Sequence, residues 1–288
     1  MADDERILLR RRDTGDGFDV MYRPAPLGAY LVGRDLDDAE AFVARAHDRD
    51  AVAHRIAFAR AWSGGEATAA RHAAWELRVL AERARNETAR ATLKLNGGDD
   101  GGALLARVEA VEGELARALG AGSATRAALA PDRSAVAVAA ARLETAFADV
   151  VASVPRPPAA ASPPVPPVGE VVAAACDAPA ALLAELRATL PVLADRVADD
   201  PPLDALAEGG GTGSAMTVAG RLTYGLRLAA GCITAAGCST PAARLFQPGG
   251  VAAELFARLP EDARTLALVV AALDPGMPWT LAGARAEA

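Results

Sequence analysis

Apolar positions recur at helical spacing along most of this chain, and the places where that spacing fails mark its joints. The opening "RILLRRRDTGDGFDVMYRP" alternates instead, in two β-type runs around a Thr-Gly-Asp-Gly turn, and predicts an N-terminal hairpin. From Asp37 to Trp62 the period is helical and unbroken, and Ser63, Gly64 and Gly65 end it. A second helix follows from Glu66 to about Lys94, then a loop from Gly97 to Gly102, then helices from Gly102 to Leu119 and from Ser134 to Val154. The stretch "PRPPAAASPPVPP" cannot be helical and forms a stiff connector. Beyond it the pattern predicts a helix from about Val168 to Val197, a loop "EGGGTGSA", a hairpin "RLTYGLRLAAGCITAAG", the segment "STPAARLFQPGG" and a last helix ending at Leu273. The expected architecture is mainly α, a helical bundle core with small β-hairpins near the N-terminus and at about 220–238. Residues 1–154 form a first region, 155–168 the connector and 169–288 a second region packing on the first to form one core.

Composition narrows the function classes. With 52% apolar residues over 288 positions the chain can bury a sizeable core. Its net charge of −7 and the mixing of 30 basic with 37 acidic residues leave no basic stripe, so nucleic acid is not an expected partner. No run approaches the length of a membrane span, the start "MADDERILLRRR" has no apolar signal core, and a cytoplasmic location is expected. Cys176, Cys232 and Cys238 are an odd, sparse set, which argues against a disulfide framework.

Chemistry concentrates on the first long helix. At 100° per residue, His47, Asp50 and His54 gather on the face of Val43, Ala46, Ala57 and Ala61, opposite Arg45, Asp48, Arg49, Arg55 and Arg60. Two imidazoles and a carboxylate at i, i+3 and i+7 can line up as metal ligands. The other reading is a buried cluster in which Asp50 pairs with His54 one turn away. Cys232 and Cys238, at C-x5-C spacing, match no zinc pattern, and the glycines of "GGGTGSA" lack the Lys-Ser/Thr that completes a phosphate cradle. Among the charges of "WELRVLAERARNETARATL", mostly a solvated face, Glu82 is the one carboxylate that stands out as a candidate.

Three segments, in order, resemble one family. "PLGAYLVGRDLDDAEAFVARAHDRDAVAH" resembles the N-terminal site region of proteins related to the large subunit of nickel-iron hydrogenases, most of all their HupK-type accessory branch. There a cysteine precedes a Gly-x-Ala-His run; here Asp50 holds the cysteine's place, followed by Ala51, Val52, Ala53 and His54. "PAARLFQPGG" resembles the branch's segment from Pro-Thr-Glu-Trp to Phe-His-Pro, keeping Pro241, Phe246, Pro248 and Gly250. "LVVAALDPGMPW" resembles the closing Ala-Leu-Asp-Pro-Cys motif: Asp274 and Pro275 remain, Gly276 stands at the cysteine and Trp279 where true large subunits have a second one. The resemblance spans roughly residues 25 to 95 and 215 to 285.

The resemblance implies a large-subunit-like fold in which both motif ends meet at one centre. Large subunits hold nickel and iron through two Cys-x-x-Cys pairs, and the accessory branch serves as a scaffold for the iron fragment. Asp50 offers a hard oxygen, Gly276 offers nothing, and Trp279 is expected to fill the vacated volume. The expectation is a non-catalytic hydrogenase maturation or accessory protein, without cofactor, whose partners are a hydrogenase subunit or maturation proteins. Two alternatives stand beside it: a metalloprotein with a metal ion at His47, Asp50 and His54, and a purely structural subunit of a larger complex.

Overall fold

The computed structural model describes residues 6–13, 17–24, 26–46, 49–96, 101–120, 126–154, 166–203, 208–247, 250–259, 263–273 and 279–282. Among these, helices dominate and two small sheets flank them, the mainly α architecture the periodicity predicts. The first sheet has strand order β2-β1-β6: β1 (Arg6–Arg11) and β2 (Phe18–Arg23) form the expected hairpin, and β6 (Trp279–Ala282) adds to β1 in parallel. The second has order β3-β4-β5, from β3 (Gly209–Thr217), β4 (Gly220–Ala229) and β5 (Cys232–Ser239).

The stretch expected as one helix from Asp37 to Trp62 is two. Following the short α1 (Leu27–Leu31), α2 (Leu36–Ala46) ends before Asp50, and α3 (Ala51–Ser63) starts anew with Asp50 as its N-cap residue. No glycine or proline marks the break; it is stabilised from outside, by a carboxylate on the next helix that takes the first amides of α3. Gly64, at φ 60°, ends α3 in the left-handed conformation. Then α4 (Ala69–Thr88) begins at Thr68, whose hydroxyl accepts from the Arg71 amide, and runs on as a π-helix over Ala89–Asn96. Next come α5 (Gly101–Leu119), α6 (Arg133–Ser153) and α7 (Pro166–Arg196). Residues 155–165 of the proline-rich connector lie outside the described residues; Pro166 and Pro167 open α7, where a missing N–H costs nothing. Three shorter helices, α8 (Pro241–Phe246), α9 (Val251–Phe256) and α10 (Ala263–Leu273), precede β6.

The apolar core has three parts. Leu77, Leu80, Val108, Leu115, Leu143, Phe147, Leu186 and Leu190 join α4 to α7. Ile56, Phe58, Trp62, Trp75, Tyr224 and Leu226 seat α3 and α4 on the second sheet. Ile7, Leu9, Phe18, Phe246, Phe256, Leu266 and Val269 hold the first sheet to α8, α9 and α10.

The "EGGGTGSA" stretch, expected as a flexible loop, is largely strand β3. Its glycines serve close approach: a Cβ on Gly213 would overlap the Ala57 carbonyl oxygen and the Ala61 amide, and one on Gly211 the Ala61 carbonyl oxygen. Replacing Gly213 with Val should therefore cost about 3 kcal/mol, because backbone atoms of α3 cannot move aside as a side chain can. Gly237, on β5, has open space where a Cβ would stand, so Gly237→Val serves as the near-neutral control. Urea melts of both variants check this, and equal midpoints would show that α3 does not press on β3.

Candidate functional site

A buried polar cluster lies at the start of α3. Glu82, on α4 and only 1% exposed, accepts the Val52 amide at Oε1 and the Ala53 amide at Oε2, both at 2.8 Å. These are orphan donors of the helix N-terminus, and the carboxylate takes the place that a local capping side chain or a bound anion would occupy. Burial, with the neighbouring Asp50 carboxylate adding to it, pushes the Glu82 pKa up to about 8, against the pull of both amides and of Arg85. Asn86, one turn further along α4, donates to Asp50 Oδ1 at 2.9 Å and to the Arg49 carbonyl at 3.0 Å. Arg85 donates to that same carbonyl at 2.8 Å and lies 3.3 Å from Glu112 on α5.

His54 is 4% exposed, and its Nδ1 lies 2.8 Å from the Tyr224 hydroxyl of β4, with the two rings edge to face. Asp50 stands as the N-cap of α3 and His54 lies within that helix. His47 lies outside the described residues. Asp50 is anchored to α4 and His54 to the second sheet. Among the described residues, no group of three or more His, Cys, Asp or Glu side chains is placed to hold a metal ion.

A second polar group follows Asn86 directly, where α4 passes into the π-helical turn. Glu87 (2% exposed) and Arg90 (4% exposed) form a buried ion pair, with Arg90 Nε to Glu87 Oε2 at 3.0 Å. The Arg90 guanidinium also donates to the carbonyls of Ala272, at the end of α10, and Ala175, on α7, each at 3.1 Å. π-helical turns are concentrated at functional sites because they re-aim side chains that an α-helix would stack. Through Arg90 the end of α10 thus reaches the helix that holds Asp50. Asp274, Pro275 and Gly276, which follow α10, lie outside the described residues, as does Pro248.

The remaining motif positions take structural places. Pro241 opens α8 behind the Thr240 cap, and Phe246 is buried against Phe256, ring centroids 6.1 Å apart. Gly250 caps α9 where a Cβ would crowd the Leu245 and Arg244 carbonyl oxygens. Trp279, expected to fill the vacated volume, is 38% exposed. It pairs with Ile7 at the edge of the first sheet, and edge position explains its exposure: among the described residues only one strand neighbours it. Cys176, Cys232 and Cys238 are thiols that are not joined in disulfides. Cys176 follows Ala175 on α7, and burial raises its thiol pKa. Cys232 and Cys238 sit towards the two ends of β5.

The donor set does not fit a nickel-iron centre. The chain has no Cys-x-x-Cys pair, the Asp50 carboxylate is bonded to Asn86, and the helix terminus behind it is taken by Glu82. Sequence reasoning singles out Glu82 but misses Asn86, Glu87, Arg90 and Tyr224. Glu87 and Arg90 carry a local signal, an opposite-charge pair at i, i+3; Tyr224, 170 residues from His54, carries none.

No family model and no curated protein sequence matches the chain. Solved structures do. The chain is similar to the Ni-Fe-Se hydrogenase from D. vulgaris Hildenborough in the reduced state, with TM-score 0.64 at 11% identity over 92% of this chain and 95% of that chain. It is similar to the NAD+-reducing [NiFe]-hydrogenase in the H2-reduced state, with TM-score 0.64 at 13% identity over 92% and 93%. A chain of the membrane-bound sulfane sulfur reductase, an archaeal respiratory membrane complex, gives TM-score 0.63 at 12% identity over 91% of each. Identities this low carry the fold and nothing finer, and the fold is that of the hydrogenase large subunit.

Proposed function

We propose that this chain is a non-catalytic hydrogenase maturation or accessory protein of the HupK type, a scaffold that binds a hydrogenase subunit or maturation factors in the cytoplasm. The observation that carries the reading is a hydrogenase fold kept over nine tenths of a chain that has no Cys-x-x-Cys pair and, among the described residues, no cluster placed to hold a metal; on our reading Asp50 and Gly276 stand where the family has cysteines. A frame that keeps its shape after its ligands are gone is suited to recognition. No helix among the described residues is long and apolar enough to cross a membrane.

Co-purification from the native cell tests it. The tagged chain, at native expression, is expected to bring down hydrogenase subunits or maturation proteins; their consistent absence would sink the proposal. Protein purified without chelators is expected to hold no stoichiometric nickel or iron. A tightly held, stoichiometric metal that is lost in His54→Ala would instead establish the metalloprotein alternative at His47, Asp50 and His54.

A further inference from the structure

One face of the first sheet is covered by Ile7, Leu9 and Phe18 packing on α8, α9 and α10. Among the described residues the opposite face is open at Arg10, Met21 and Arg23, and its residues follow from the register: Arg6 lies opposite Arg23, Leu8 lies between Met21 and Thr280, and Arg10 lies opposite Asp19. Arg10 and Arg23 are exposed and Met21 is 49% exposed, so an apolar centre is ringed by guanidinium groups. Asp19, the one acid on this face among the described residues, is held by Arg12 Nε at 2.8 Å. Among the described residues Arg6, Arg10 and Arg23 have no ion-pair partner, and the Arg6 Nε is buried against the sheet without an acceptor. Two arginines directly opposite each other in an antiparallel pair repel, and no described carboxylate compensates them.

We infer that this face docks an acidic segment of a partner protein, its carboxylates meeting Arg6, Arg10 and Arg23 and an apolar side chain resting on Leu8 and Met21. The charges choose the occupant's sign, and the whole chain chooses its class. At a net charge of −7 the protein is repelled at long range by extended polyanions such as nucleic acid or an anionic membrane, whereas a short acidic segment feels mainly the local arginines. The apolar centre points the same way, since methionine adapts to varied side chains and a phosphate backbone offers it nothing. Arg6 and Arg10 are spaced roughly 13 Å apart along β1, a distance that carboxylates four residues apart on an extended segment can match. The inference deepens the scaffold reading by giving the partner's chemistry, and it is tested without any hydrogenase protein, so that either can fail alone.

The test is fluorescence anisotropy of the full chain with a labelled peptide alternating Glu with Leu and Thr, against the same peptide with Lys for Glu. The acidic peptide is expected to bind and to weaken as salt rises. Arg10→Glu with Arg23→Glu should weaken it on the order of ten-fold, and Met21→Ser about three-fold. Arg23→Glu alone places a carboxylate opposite Arg6, so its melting temperature should not fall, which separates lost docking from lost folding. Four results would overturn the inference: equal binding of the two peptides, indifference to charge reversal, tighter binding of labelled duplex DNA or phosphatidylglycerol vesicles, or peptide binding that appears only after Asp3, Asp4 and Glu5 are changed to Ser. The last would make the chain's own N-terminal segment the occupant.

Discussion

Arg90→Ala is expected to cost about 3–5 kcal/mol of folding stability, the range for stripping one partner from a buried ion pair. Arg90 is 4% exposed and Glu87 2%, so truncation leaves a carboxylate in the interior with its principal counter-charge gone. It also removes the donors to the Ala272 and Ala175 carbonyls, which tie α10 and α7 to the π-helical turn. The double variant Arg90→Met, Glu87→Leu should lose less than the single one, because a buried pair replaced by apolar groups of similar volume is often nearly neutral. Denaturant melts of the two variants check the order, and hydrogen exchange should show α10 opening first in Arg90→Ala. A loss below about 1 kcal/mol would place the pair in solvent-like surroundings and remove Arg90 as the link between α10 and the helix that holds Asp50.

Physical range decides which parts of this structure are readable from the chain. The helices from Gly101 to Arg196 follow their own periodicity, because each buries a continuous stripe, and their expected ends fall within two residues of the observed ones. The division of α2 from α3 has no local signal; it depends on Glu82, some thirty residues away, satisfying the Val52 and Ala53 amides. That single tertiary contact also explains why Asp50 caps α3 and does not lie inside one continuous helix. Strand β3 reads as a loop because glycine is rare in strands unless another backbone must come close, and the backbone here is that of α3. Strand β6 is four residues long and exists only through β1, at the other end of the chain. The fold that the three segments resemble is the fold the solved structures share with this chain. What the segments do not carry is the long-range chemistry: Asn86 on Asp50, Tyr224 on His54 and Arg90 on the end of α10.

The second large effect is a pH dependence that belongs to Glu82. Its carboxyl keeps a proton up to about pH 8 in the folded chain, while an unperturbed glutamate ionises near 4.5. Between those values the folded state binds more protons than the unfolded one, so stability falls as pH rises and levels off above about 8. The slope for one group is about 1.4 kcal/mol per pH unit, which gives roughly 2 kcal/mol lost between pH 6.5 and 8. His72 has the opposite sign: burial and Arg60 lower its pKa, and its stabilising slope is confined to pH below its ordinary 6.5. Glu40 and Glu112, both raised by burial, shift in the same direction as Glu82 but are common to wild type and variant, so subtraction cancels them. Glu82→Gln keeps the size and one acceptor, loses one amide bond at a constant cost of about 1 kcal/mol, and abolishes the titration. The stability of wild type minus that of the variant should therefore decline from pH 6.5 to 8 and then stay flat, read from urea melts at half-unit steps. A difference that is constant across the range would mean that Glu82 is already ionised at pH 6.5, and that the two amides at the start of α3 outweigh both its burial and the Asp50 charge.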